Sequence, residues 1–179
     1  MTAMRVLGQH IEIELYDSFD EFEDYEAFFT FLHEADYNDK VDILLNSGGG
    51  RCDVGQMLIR ALQKTKAFVT VDVVYSSASM AAMLALSGDA LILRPGTFLM
   101  FHNYSGGIVG KGDEMLQGMA ATTKSIKAMA EICFPFLTRS EMNKIESDKD
   151  IYLHDDEENL EARIKRHFKI PKAKRGLGI

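Results

Sequence analysis

Twice in this chain an apolar, β-branched run stops at a turn of small residues and gives way to a helical pattern, and that repeat leaves few folds open. Val41 to Leu45 ends at Asn46-Ser47-Gly48-Gly49-Gly50, after which Asp53 to Thr65 reads as a helix. Ala67 to Tyr75 ends at Ser76-Ser77-Ala78, and Ser79 to Leu86 supplies the Ala, Met and Leu of a buried helix. Two more strands, Ala90 to Leu93 and Thr97 to Phe101, flank a turn at Arg94-Pro95-Gly96. Strands alternating with helices predict an α/β fold with a largely parallel sheet. Upstream, Gln9 to Leu15 alternates Ile11, Ile13 and Leu15 with polar neighbours, the period of a half-buried strand. Ser18 to Ala35 sets Phe22, Phe29 and Leu32 near helical spacing, which predicts an amphipathic helix with a solvated acidic face.

Downstream, Asp113 to Phe136 predicts a long helix carrying Met115, Met119, Thr122, Ile126, Met129 and Cys133 as one stripe, a surface that wants a packing partner. A last helix is expected from Asp155-Asp156-Glu157-Glu158 to Lys165-Arg166-His167, its acids at the positive end of the helix dipole and its bases at the negative end. With 179 residues, 46% of them apolar, the chain suits one domain over residues 1–170, and the basic tail 171–179 is expected to be mobile. A net charge of −7 offers nothing global to nucleic acid or to an anionic membrane. The start of the chain lacks a signal-peptide pattern, and no apolar run nears the roughly 20 residues that span a bilayer. Two cysteines, Cys52 and Cys133, make no disulfide framework, so a cytoplasmic protein is the expectation.

Acyl transfer needs a nucleophile beside a base and backbone donors aimed at the developing oxyanion. Ser79 sits in a sharp strand-to-helix turn, which projects its hydroxyl at the sheet edge and points the Met80 amide into the same space. The same position also suits an ordinary helix N-cap, for which Ser76 and Ser77 are rivals. Gly48-Gly49-Gly50 would let a substrate backbone approach and leave an amide free to donate; as a phosphate loop it lacks both the Walker lysine and the GxGxxG pattern. His102 ends the strand Phe98-Leu99-Met100-Phe101, where a side chain reaches the crevice beyond a parallel sheet. Asp148 and Asp150 are both candidates for a third group. The five histidines form no metal-ligand spacing, so no metal or other cofactor is expected.

In their order along the chain, these tags resemble the proteolytic subunit of the Clp protease family. Asn46-Ser47-Gly48-Gly49-Gly50 is similar to that family's Asn-Ser-Pro-Gly-Gly, Ala78-Ser79-Met80-Ala81-Ala82 to its Ala-Ser-Met-Gly-Ala, and Leu99-Met100-Phe101-His102 to its Val-Met-Ile-His. The resemblance covers roughly Val41 to Leu153 and implies β-β-α units wound in a spiral, as in the crotonases, with a protruding handle helix at the Met115 to Cys133 stripe. It implies Ser79 as nucleophile, His102 as base and Asp150 as the acid, since Asp150-Ile151-Tyr152-Leu153 fits the family's Asp-x-aromatic-aliphatic pattern; Asp148 is the fallback. The amides of Gly50 and Met80 become the oxyanion hole. An extended polypeptide substrate would lie along Gly49, Arg51 and Cys52 on one side and Asn103, Tyr104 and Ser105 on the other.

The resemblance also implies a homo-oligomer of stacked heptameric rings. A Clp-type AAA+ ATPase partner is left open, because the chain starts close to its first strand, without the longer N-terminal segment that meets the ATPase in the family. Gly48 in place of proline, and Tyr75-Ser76-Ser77 before the nucleophile, mark a divergent member of the kind a phage or mobile element would carry. Three other readings stand beside the peptidase: a phage capsid-maturation protease, a crotonase-like acyl-CoA enzyme and a catalytically silent ring subunit.

Overall fold

The computed structural model describes residues 8–107 and 109–176, which form a six-stranded sheet with helices packed against it. Strand β1 (His10–Leu15) pairs in parallel with β2 (Lys40–Ser47), and β2 with β3 (Phe68–Ala78). The sheet then forks. The first half of β3, Thr70 to Val73, pairs in parallel with β4 (Ala90–Leu93), whereas its end, Ser76 to Ala78, pairs in parallel with β5 (Phe98–Phe101). The fork coincides with a register shift on β2 between Leu45 and Ser47, where the Asn46 side chain accepts from the Ser76 amide at 3.3 Å. The last strand, β6 (Ile151–His154), runs antiparallel to β5.

Helix α1 (Glu26–Glu34) joins β1 to β2, α2 (Cys52–Lys64) joins β2 to β3, and α3 (Met80–Ala85) follows β3. After β5 come α4 (Gly112–Ala130), α5 (Arg139–Glu146), β6 and α6 (Leu160–Phe168). The core forms where Val41, Ile43 and Leu45 of β2 and Val69, Val71 and Val73 of β3 meet Leu58, Ile59 and Leu62 of α2 and nearly all of α3. Full burial of a Leu or Ile side chain is worth roughly 1.5–3 kcal/mol, so α2 is firmly anchored by its three. By contrast, Met129 is the one buried residue of α4, and Leu116 and Met119 stand in solvent. The long helix expected from the methionine stripe is present as a 19-residue arm that the rest of the chain barely holds.

Several elements differ from expectation for local reasons. The helix expected over Ser18 to Ala35 is broken because Phe19 is fully buried and pairs in parallel with Gly50: its amide donates to Gly49 at 2.7 Å and its carbonyl accepts from Arg51 at 2.9 Å. Only a 3-10 turn (Phe22–Tyr25) and α1 remain helical. The long arm stops at Ala130 instead of Phe136, because Phe134 precedes Pro135 and adopts extended backbone. The acids Asp155 to Glu158 lie in the turn before α6, where Asp155 accepts from the Gly96 amide at 3.0 Å. The tail expected to be mobile from residue 171 is instead packed as far as it is described: Lys172 and Arg175 are 8% and 2% exposed.

Candidate active site

Ser79 occupies the single residue between the end of β3 and the start of α3, with φ 56° and ψ −124°. A non-glycine side chain at positive φ is strained and persists only where its surroundings hold it. Three contacts do so here. The Ser79 amide donates to the Met100 carbonyl of β5 at 2.8 Å, and the Ser79 carbonyl accepts from the Met83 amide at 3.2 Å. Gly49, at φ +97°, presses its backbone against the turn so closely that a Cβ there would lie 2.9 Å from both the Met80 amide nitrogen and Ser79 Cβ. The glycine turn and the serine turn are therefore in contact, and the Met80 amide, at the first position of α3, has no acceptor within its helix.

Beside Ser79 opens a cavity of about 310 Å³. It brings together Ser79, Met80, His102, Cys52, Asn103 and Tyr104 from the sequence-derived set. His102 enters from the end of β5, half-buried. Asp150 is exposed and outside the cavity wall, but it occupies the position before β6 that opposes His102: the ladder pairs Phe101 with Ile151, and the next step is His102 with Asp150. Hydrogen bonds in this segment run elsewhere. Asn103 Nδ2 donates to Asp148 Oδ1 at 2.8 Å, and Asp148, at φ 58°, closes the end of α5. No hydrogen bond in the isolated chain joins Ser79 to His102 or His102 to Asp150. Gly50 and Arg51 flank the cavity without lining it, the Arg51 guanidinium being held by Asp53 at 2.7 Å and Glu21 at 3.3 Å. Ser105 is exposed beyond Tyr104.

The far wall was not read from sequence. Ile126 and Ala130 of α4, Leu137, and Met142 and Ile145 of α5 give the cavity an apolar wall. Two polar ties join residues of its lining: Tyr104 and Thr123 share a hydroxyl hydrogen bond of 2.7 Å, and Lys127 meets Glu146 at 3.3 Å. Ile126 belongs to the methionine stripe, which signalled packing without saying that part of it would face a site.

Comparison with known protein families matches the family described as Clp protease to residues 2–160. The chain belongs to the Clp protease family. That membership makes it a Clp-type peptidase subunit, and the mixed α/β sheet with its projecting α4 is the family's fold.

Besides Ser79, this Clp-type cavity is lined by two thiols, Cys52 and Cys133. Burial, with Asp53 adding to it, pushes the Cys52 thiol up, and burial with Glu131 pushes Cys133 up to about 12. Both thiols are therefore protonated near neutral pH. Among the described residues no cluster of three or more His, Cys, Asp or Glu is arranged to hold a metal ion, and no helix is long and apolar enough to cross a membrane.

Proposed function

We propose that this Clp-type subunit is a serine endopeptidase that cleaves extended polypeptides through an acyl-enzyme on Ser79. The observation that carries the reading is the strained Ser79 turn opening into the same cavity as His102. His102 takes the Ser79 Oγ proton as Oγ bonds to the peptide carbonyl carbon, and then returns that proton to the departing amine as the C–N bond breaks. Water, deprotonated by His102, hydrolyses the ester. Asp150 orients the imidazole; what favours it over Asp148 is its position opposite His102 and the engagement of Asp148 with Asn103. The carbonyl oxygen is received by the amides of Met80 and Gly50; what supports this is the close approach of the Gly49 backbone to the Ser79–Met80 turn. Substrate adds as a strand along Gly49, Arg51 and Cys52 and along Asn103 to Ser105, with an apolar side chain in the cavity.

Members of this family assemble as rings acting on polypeptides, and the bare α4 arm supports two stacked rings, heptameric by analogy, with α4 between them. Assembly would also bring Ser79, His102 and Asp150 into hydrogen-bond reach. Whether an AAA+ ATPase feeds the ring, or the subunit acts alone as in capsid maturation, is decided by comparing cleavage of an unfolded protein with and without such an ATPase. The test of the chemistry is labelling by a fluorophosphonate. The wild type should be phosphonylated at Ser79 and Ser79→Ala should be both unlabelled and inactive. An unlabelled wild type that binds a CoA thioester would replace the peptidase by the crotonase reading.

A further inference from the structure

We propose that Arg175 is a positioning residue for Ser79: the C-terminal segment is a clamp that fixes the far end of the helix on which the nucleophile stands. This inference rests on Ser79 being the nucleophile. Helices α2 and α3 both begin at the cavity, at Cys52 and Met80, and both end against the same C-terminal segment. Helix α3 has six residues and so spans only about 9 Å. Immediately after it, the Leu86 carbonyl accepts from His167 Nε2 at 2.8 Å and from Arg175 Nη1 at 3.0 Å, and Arg175 Nη1 also donates to the Gly88 carbonyl. Arg175 Nε donates to the Ile170 carbonyl at 2.8 Å, and its guanidinium stacks over the Phe168 ring at 4.5 Å. The Arg175 carbonyl in turn accepts from Gln63 Nε2 of α2 at 2.9 Å.

A cation 2% exposed, bound by carbonyl oxygens and by no carboxylate, is an unusual thing for a chain to keep. Burial pulls the Arg175 guanidinium down to about 10, against the opposing pull of the nearby Asp89 carboxylate. Surface display of a basic tail would need none of this. What the burial achieves is to satisfy the carbonyls at the end of α3, where no water reaches and no further helical amide is available. Five of the six residues of α3 are buried, so the helix can move only as a rigid piece. Its near end is tied by the Ser79 amide to Met100, and its far end by Arg175. A strained turn keeps its geometry only when both sides are held, and a small displacement of the Oγ relative to His102 lowers the rate steeply. The clamp lies beyond the residues matched to the family.

The experiment uses the full chain as wild type, Arg175→Ala and Arg175→Lys, and measures the rate constant for Ser79 phosphonylation, kcat and KM on a small apolar peptide, and the unfolding midpoint. The clamp predicts labelling and kcat reduced about tenfold or more in Arg175→Ala, KM within about twofold of wild type, and recovery when low millimolar ethylguanidinium refills the hole. Arg175→Lys should fall between, since one ammonium cannot span the Leu86 and Gly88 carbonyls and the Phe168 ring together. If Arg175→Ala does not fold, Arg175→Lys decides: slower labelling of a cooperatively folded protein supports the clamp, and labelling at the wild-type rate overturns it. A variant of lowered midpoint that labels as fast as wild type overturns it too, as does slow labelling that ethylguanidinium leaves unchanged. A wild type that is not labelled at all removes the Ser79 reading and this inference with it, whereas a labelled wild type with an equally labelled Arg175→Ala removes only the clamp.

Discussion

His102 and Asp150 occupy opposed positions one step beyond the last pair of the antiparallel β5–β6 ladder, Phe101 with Ile151. Were the ladder continued by that step, their Cβ atoms would lie roughly 4.5–5.5 Å apart, within reach of a carboxylate and an imidazole. Asp148 is two residues away and already accepts from Asn103 at 2.8 Å. Asp150→Asn is therefore expected to lower kcat by roughly 10⁴-fold, the scale seen when an orienting carboxylate is neutralised, with fluorophosphonate labelling slowed in parallel. Asp148→Asn keeps an acceptor for Asn103 and is expected to leave kcat within a few-fold of wild type. The reverse ranking in a steady-state peptide assay would transfer the role to Asp148.

Gly49 admits no side chain. At φ +97° any L-residue is strained, and a Cβ would lie 2.8 Å from the Ala78 carbonyl oxygen as well as 2.9 Å from the Met80 amide nitrogen. Gly49→Ala is expected to destabilise the fold by about 1–2 kcal/mol from the backbone conformation alone, and to abolish labelling by pushing the serine turn away from the glycine turn. Gly48, where a Cβ meets nothing within 4 Å, is the control, and Gly48→Ala should change neither the urea midpoint nor labelling by much. A labelled, active Gly49→Ala would show that the contact is incidental.

How much of this could be read from sequence depended on whether the deciding interaction was local. Strands β2 to β5 were legible because apolar, β-branched runs end at glycine, serine or proline, and the same ends locate Ser79 and His102. The sharing of one cavity by these two follows from parallel pairing of Ala78 with Met100, which alternating elements anticipate in kind though not in register. Phe19 was misread because its pairing with Gly50 is made by backbone 31 residues away, invisible in a side-chain pattern. Lys172 and Arg175 fell in the basic tail expected to be mobile because their partners Ala67, Asp89, Leu86 and Gly88 are remote carbonyls and one remote carboxylate. One local signal was present and unused: Thr138-Arg139-Ser140-Glu141 is a capping box, and it starts α5, which forms part of the cavity wall.

The α4 arm gives a test of assembly. Leu116 and Met119 are 68% and 52% exposed on a helix with one buried residue, so charges there cost the isolated fold little. The double substitution Leu116→Glu with Met119→Glu is expected to reduce the native mass by half, splitting stacked rings into single ones, with the circular dichroism spectrum unchanged. Sedimentation velocity reads the outcome. Equal masses for both proteins would mean that α4 does not join subunits.

Stability should fall in acid through two separate windows. Burial, with Arg175 and Arg166 nearby, pulls the His167 imidazole down from 6.5 to about 4; its Nε2–H donates to Leu86, and a proton added at Nδ1 would meet no partner. The folded ring is neutral where the unfolded one is charged, so this contribution is complete above pH 6.5 and is lost as pH falls towards 4. Arg163, bonded to both oxygens of Glu141 at 2.9 and 2.8 Å, holds that carboxyl down from 4.5 to about 2, against its partial burial and with help from Thr138. That contribution is complete above pH 4.5 and is lost between about 4.5 and 2. Each shift corresponds to stability on the order of 3 kcal/mol. Urea midpoints measured from pH 7 to pH 3 should decline in both windows for the wild type. His167→Gln, which keeps a donor for Leu86, should flatten the upper window, and Glu141→Gln the lower one. A wild-type midpoint constant from pH 6.5 to 4.5 would mean that His167 takes up its proton as readily in the folded protein as in the unfolded one, so that its burial does not exclude the charge.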